Sequence, residues 1–154
     1  MPEVVTADEL VQKFYQAYPS LRSYLLSKGQ FAKQSLHVRT DDPFGRVRFF
    51  EEPDYESGYS SIERAGMNTP IQGSSANMTK YAIVLLKKNI EDNNLHDKLK
   101  FILPIHDEVQ CLVREDFSKE GLGIVIDCME KAGKVVLRND LQRAEGEVTQ
   151  VWMK

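Results

Sequence analysis

The sequence predicts an α+β fold of helices interleaved with antiparallel hairpins, and three observations carry that prediction. Apolar residues recur at helical spacing in four stretches of the chain. Two pairs of short apolar runs each flank a cluster of turn-forming or polar residues, the pattern of a hairpin. The helical and extended stretches do not alternate as regular βαβ units, which argues against a parallel sheet. At 154 residues the chain is long enough for one domain with a real core, or for a large piece of a bigger one.

The elements follow in order. Thr6-Ala7-Asp8-Glu9 reads as a capping box, with a hydroxyl at the cap and a carboxylate three residues on. Behind it Ala7, Leu10, Val11, Phe14 and Tyr18 form a helical stripe. Pro19 interrupts that helix and opens a second, whose stripe is Leu21, Tyr24, Leu25 and Ala32. Residues 36–40 and 46–50 read as strands, joined through the turn residues Asp41-Asp42-Pro43-Phe44-Gly45. Residues 51–59 are polar, contain Pro53 and Gly58, and read as a loop. A long helix is expected from about residue 60 to residue 91, with a break or kink at Pro70. Its second part carries Ile71, Met78, Ala82 and Leu85 on one stripe and Lys80, Lys87 and Glu91 on another face. Residues 101–105 and 109–113 form a second hairpin around His106-Asp107-Glu108. Leu122, Val125, Ile126, Met129 and Val136 mark a last amphipathic helix, and residues 143–151 a last strand ending near Trp152.

Composition excludes some classes and leaves others open. No apolar run reaches membrane-spanning length, and the first residues lack the basic and apolar pattern of a signal peptide. The expectation is a cytoplasmic protein. Cys111 and Cys128 sit in apolar stretches without metal-ligand spacing and read as buried free thiols of a reducing compartment. The sequon Asn77-Met78-Thr79 is then incidental. A net charge of −3 does not favour nucleic acid, but its distribution is uneven. Arg22, Lys28, Lys33, Arg39, Arg46 and Arg48 stand against only Asp41 and Asp42 in that stretch. Such a stretch either tracks phosphates or forms a solvated charged face.

Three constellations could carry chemistry. His106-Asp107-Glu108 puts two carboxylates on a tight turn between strands, either as a place for a hard divalent ion or as a polar surface turn. Arg64, Asn68 and Gln72, spaced four and four, lie along one helix face. They offer donors that suit the degenerate minor groove, or form a solvated face with Gln72 beside Pro70. Gly73-Ser74-Ser75-Ala76 permits close backbone approach, for packing or, less readily, for phosphate. A fourth reading pairs His96-Asp97 with His106-Asp107 as in metal-dependent phosphohydrolases. It fits poorly, because those enzymes carry such pairs on helices.

Taken together these pieces resemble family A DNA polymerases, the bacterial DNA polymerase I type. Glu63-Arg64 followed by Asn68-Thr69-Pro70-Ile71-Gln72-Gly73-Ser74 resembles the segment leading into the family's long palm helix. Ile105-His106-Asp107-Glu108-Val109 is similar to motif C, the palm hairpin with a catalytic aspartate. Gln16-Ala17-Tyr18-Pro19 is similar to the fingers just after the O helix, and Phe44-Gly45-Arg46 to the Gly-Arg turn before the palm helix. Trp152 resembles the family's closing residues, and the insertions near Thr40 have a phage-like look. Asn77 departs from the pattern, since the family usually has an aspartate there, and Pro104 removes a backbone donor just before the motif C turn.

The resemblance implies the C-terminal part of a right-hand polymerase domain, with residues 1–58 derived from the fingers and 59–154 from the palm. It implies Asp107 as a metal-bridging catalytic carboxylate, Glu108 as a nearby, less essential one, and His106 as orienting the primer end. Mg²⁺ is the implied cofactor, in a two-metal site completed by an aspartate that is not among these residues. Arg64, Asn68 and Gln72 would hold the primer–template from its minor-groove side, with Arg46 and Arg48 at its backbone. The implied partners are DNA primer–template, a deoxynucleoside triphosphate and an N-terminal polymerase fragment carrying motifs A and B, with no membrane. The expectation is therefore a DNA-directed DNA polymerase piece, inactive alone, in a bacterial or phage-infected cell. The competing expectation is a catalytically inactive DNA-binding or scaffold fragment of the same ancestry.

Overall fold

The structure, a computed structural model, describes residues 6–151. Trp152 therefore lies outside the described residues. Helix α1 (Ala7–Ala17) starts at the expected capping box: Glu9 N–H donates to Thr6 Oγ1 at 3.3 Å, and Thr6 N–H donates to Glu9 Oε2 at 2.8 Å. Pro19 sits in the first turn of α2 (Pro19–Ser35), where its missing N–H costs no helical bond. Leu36 then takes a left-handed conformation and ends the helix. The first hairpin pairs β1 (His37–Arg39) with β2 (Val47–Phe49), Val38 opposite Arg48. Helix α3 runs through Glu56–Asp92, and the second hairpin pairs β3 (Leu99–Ile105) with β4 (Glu108–Val113). A short 3₁₀ turn, Glu115–Phe117, leads into α4 (Ser118–Leu137). The class is α+β, with each hairpin a two-stranded antiparallel sheet.

The chain divides into two compact units. The first comprises the residues up to Thr40 together with Arg46–Ile71. Its core is Ala32, Val38 and Ile62, with Leu36, Phe50 and Tyr59 packed against it. Helices α2 and α3 touch backbone to backbone in this unit. A Cβ built on Gly66 would lie 2.4 Å from the Ala32 Cβ and 3.1 Å from the Lys28 carbonyl oxygen. Small residues are the condition for that approach. The second unit comprises Asp41–Gly45 and the chain from Gln72 onward. Its core joins Leu86 and Ile90 of α3, Leu95, Leu99 of β3, and Val125 and Cys128 of α4.

Several expectations are corrected. Helix α3 starts at Glu56, inside the stretch expected to be a loop. Polar composition is no obstacle to a first turn, and Glu56 there meets the positive end of the helix dipole. Nor is the helix broken at Pro70, which lies inside it. Thr69 and Pro70 are buried, and their burial offsets the lost i→i−4 bond, a penalty of about 3 kcal/mol. The core stripe of its second part is Ala82, Leu86 and Ile90, while Ile71, expected on the stripe, is 48% exposed. Gly73-Ser74-Ser75-Ala76 lies mid-helix, away from any helix start that could bind phosphate. Finally, residues 143–151 form no strand. The backbone there turns to α4 instead of a ladder: Ala144 N–H donates to Glu130 Oε1 at 3.3 Å. Among the described residues no helix is long and apolar enough to cross a membrane.

This packing can be tested at the close helix contact and at the thiol of Cys111, which was expected to be buried and is half-buried. Gly66→Ala gains helix propensity worth about 1 kcal/mol, but overpacks the α2–α3 contact at a cost of about 1–3 kcal/mol. The melting temperature should fall, whereas Gly123→Ala in α4, with nothing within 4 Å of the new Cβ, should raise it. Shifts of the same sign, or a rise for Gly66→Ala, would contradict the close approach. The Cys111 thiol is pushed up to about 11 by burial and, secondarily, by Cys128. At pH 8 roughly one part in a thousand would be thiolate, so alkylation of the folded chain should be slow and climb steeply with pH. The stability tied to this neutral thiol is full below about pH 9 and is lost as pH rises through about 11. Rapid labelling of Cys111 at pH 7 would refute the burial.

Candidate functional site

The β3–β4 hairpin is a lever with one end in the core and the other in solvent. At the base Leu99 pairs with Val113 and Phe101 with Cys111, and all four pack with Leu86, Ile90 and Val125. Paired residues share a face of a sheet, so a regular ladder would point Leu103 and Ile105 inward as well. A bulge between Phe101 and Leu103 changes the parity. Beyond it Pro104 pairs with Val109, which packs on the core, while Ile105 pairs with Glu108. The bulge thus puts Leu103 and Ile105 of β3 opposite Gln110 and Glu108, which alternation along β4 already turns away from the core. Pro104 lies two residues past this irregularity, where a two-stranded sheet tolerates a missing donor.

At the tip the loop is two residues, His106 and Asp107, and Glu108 is the first residue of β4. His106 has φ 54°, the left-handed conformation that a two-residue hairpin loop demands and that non-glycine residues adopt reluctantly. His106, Asp107 and Glu108 are all exposed. Gln110, next on the outer face, donates through Nε2 to Glu108 Oε2 at 3.2 Å. A cavity of about 690 Å³ adjoins the hairpin, with Asp107, Glu108, Ser75, Thr79 and Glu147 among its lining.

Carboxylate oxygens on an exposed turn suit a hard divalent cation. Ligand number is the shortfall: among the described residues no three His, Cys, Asp or Glu side chains converge as a metal site. Asp97, of the His-Asp pair in the linker, is ion-paired with Arg114 at 3.3 Å, and Arg114 also binds Asp116 at 2.6 Å. The phosphohydrolase arrangement is absent from the described residues.

Arg64, Asn68 and Gln72 are all exposed and spaced one helical turn apart within α3. Arg64 and Asn68 fall in the first unit and Gln72 opens the second. Arg46 leads into β2. Arg48 is engaged within its own unit, its Nη1 3.5 Å from Thr69 Oγ1 and its guanidinium 5.2 Å from the Phe50 ring centre.

One polar cluster escaped the reading of the sequence. Asp42 Oδ1 accepts N–H bonds from Phe44 at 2.9 Å and Gly45 at 3.3 Å. Its Oδ2 accepts the Ser74 hydroxyl at 2.7 Å, and Asn77 Nδ2 reaches both oxygens, at 3.1 and 3.0 Å. Asn77 is buried at 6% exposure. The departure of residue 77 from the usual aspartate was the only signal in the sequence, and its partner lies 35 residues away.

Comparison with known proteins bears on all of this. Residues 3–154 match the profile of DNA polymerase family A. The chain is 36% identical to DNA polymerase I of Caldicellulosiruptor bescii over 136 residues, 86% of this chain and 15% of that protein. It is 31% identical to DNA polymerase I of Bacillus caldotenax over 140 residues, 88% of this chain and 15% of that one. Among solved structures it is similar to the POL domain of Pol1 from M. smegmatis, in complex with DNA primer-template and dNTP. That likeness has a TM-score of 0.70 at 27% identity and covers 84% of this chain and 23% of that one. The chain spans 15% of the length of each of the two relatives named. A profile match over nearly the whole chain, joined to the shared fold, shows that the chain belongs to DNA polymerase family A.

Proposed function

We propose that these residues supply the motif C carboxylates and part of the primer–template grip of a template-directed DNA polymerase. The observation that carries the proposal is the hairpin tip. Asp107 and Glu108 stand exposed at the end of a ladder whose base is anchored in the core, and alternation along β4 from Val109, Cys111 and Val113 turns Glu108 away from it. In this reading Asp107 is the essential carboxylate, Glu108 an auxiliary one, and His106 orients the primer end. Both carboxylates would hold Mg²⁺. When bound, two such ions activate the primer hydroxyl and offset charge on the leaving pyrophosphate.

The rest of the chain would position DNA. Arg64, Asn68 and Gln72 present donors along one exposed helix face, suited to minor-groove acceptors that are alike in all sequences. Arg46, and Arg48 with whatever its contacts to Thr69 and Phe50 leave over, would meet the phosphate backbone. Residues 1–58 then correspond to fingers and 59–154 to palm. The second catalytic aspartate and the nucleotide-binding O helix would come from residues outside these 154, as an N-terminal polymerase segment carrying motifs A and B. Helix α1 supports a further packing partner: Leu10 is 58% and Tyr18 56% exposed, although they belong to one apolar stripe. The reaction would take place in the cytoplasm of a bacterial or phage-infected cell.

Primer extension by the assembled polymerase tests this reading. Asp107→Asn keeps the side-chain shape and deletes the charge a divalent ion requires. It should abolish extension, a loss of several kcal/mol of transition-state stabilisation, while duplex affinity without metal stays near the parent's. Glu108→Ala should leave measurable turnover. Near-parental extension by Asp107→Asn would remove Asp107 from the metal site and the proposal with it.

A further inference from the structure

The Asp42 cluster carries an inference beyond the reading above. A carboxylate receiving at least five hydrogen bonds of 2.7–3.3 Å has a structural task. The donors fall into two groups. Phe44 and Gly45 belong to the turn that Asp42 itself opens, and Gly45 takes φ 57° there. Ser74 and Asn77 belong to α3, more than thirty residues on. Although the turn links β1 to β2, residues Asp41–Gly45 group with the second unit, as these bonds require.

We propose that Asp42 and Asn77 are paired positioning residues. The carboxylate on the turn and the amide on the helix together fix the turn from which Arg46 leaves, and the residue at 42 dictates the residue at 77. The chemistry is directional. Asn77 points its donor at the carboxylate, and an aspartate at 77 would instead set two carboxylates about 3 Å apart. Such a pair cannot both be ionised cheaply, so one proton would be shared between them. Moving the acid to 77 is tolerable only if the amide moves to 42. An asparagine at 42 could still accept from Phe44 and Gly45 through its oxygen and donate to the new carboxylate through its nitrogen. The other charged groups near in sequence are Asp41 and Arg46 beside the turn and Lys80, three residues beyond Asn77 on α3. The link to DNA rests on the reading of Arg46 given above.

The test is a four-member cycle in the full chain: parent, Asp42→Asn, Asn77→Asp and the double exchange, melted between pH 5 and pH 8. Asp41, Arg46 and Lys80 are common to all four members, so their own titration cancels across the cycle. Asn77→Asp alone should lower Tm by about 4–8 °C at pH 8. That deficit should shrink as pH falls towards 5. The folded carboxyl pair has a raised pKa, so the stability from its shared proton is full at low pH and is lost as pH rises through that value. In the Asp42→Asn background the same substitution should cost little, and the double exchange should melt near the parent with a flat pH response. Equal losses from Asn77→Asp in both backgrounds would overturn the pairing, as would a deficit that does not depend on pH. A single variant that fails to fold leaves the double exchange to decide, and failure of the double as well overturns the proposal.

Duplex DNA binding separates this from the DNA reading. The double exchange has the parent's net charge, so its affinity compares with the parent's free of any change in bulk electrostatics, whereas Asn77→Asp carries one negative charge more. Arg46→Ala should weaken binding and reduce the salt slope by about one. At pH 8 Asn77→Asp should weaken it in the same way, and the double exchange should restore both. If Arg46→Ala weakens binding while Asn77→Asp leaves the affinity and slope of the double exchange, the pair does not position Arg46 and that claim falls. If Arg46→Ala changes nothing, the DNA role of Arg46 fails and the melting cycle alone judges the pairing.

Discussion

Burial against α3 is the constraint on which the rest of this structure depends. In the first unit the helix accepts α2 at backbone distance through Gly66 and Ala32, and Ile62 closes over Val38 of the first hairpin. In the second, Leu86 and Ile90 receive Leu99 of β3 and Val125 and Cys128 of α4. Two-stranded hairpins are marginal by themselves in water. Each here is stable because one of its faces is pressed on this helix. The two modes differ physically: the first contact works by having no side chain in the way, the second by large apolar side chains that fill space.

The tip of the second hairpin inherits its geometry from that packing. Val113, Cys111 and Val109 are held inward by the core, so the outward residues of β4 follow by alternation as Glu108, Gln110 and Leu112. The bulge on β3 lets its seven residues match the six of β4 across a two-residue loop. His106 accepts a left-handed backbone at the tip, strain that a well-anchored ladder can hold. Exposed carboxylates carry no desolvation cost, so the charge a divalent ion would meet is built without loss of core.

What the sequence showed was local, and what it hid was distant. The capping box at Thr6, Pro19 at a helix start, and both hairpins were legible because neighbouring residues decide them. So were the carboxylates at the second turn and the helical spacing of Arg64, Asn68 and Gln72, since spacing alone sets a face. The start of α3 at Glu56 was not, because tertiary burial overrode a polar run; at Pro70, where a break or a kink was expected, the helix is unbroken. Its core stripe was read in part: Ala82 is buried and Leu85 packs against the core, whereas Leu86 and Ile90 were missed and Ile71 is exposed. A strand over 143–151 matched the local pattern but found its bonds on α4. Of the Asp42–Asn77 pair only the departure at residue 77 showed, since 35 residues separate its members.

The most direct test of the central claim is to ask where a divalent ion sits in the assembled polymerase on primer–template DNA. Fe²⁺ in place of Mg²⁺ generates hydroxyl radicals with peroxide and ascorbate, and these cut the polypeptide beside the ion. Cleavage is predicted around His106, Asp107 and Glu108 in the parent and not in Asp107→Asn. Cleavage of that segment unchanged in Asp107→Asn, or cleavage only elsewhere in the chain, would contradict the assignment of this hairpin as the metal-binding edge of the active centre.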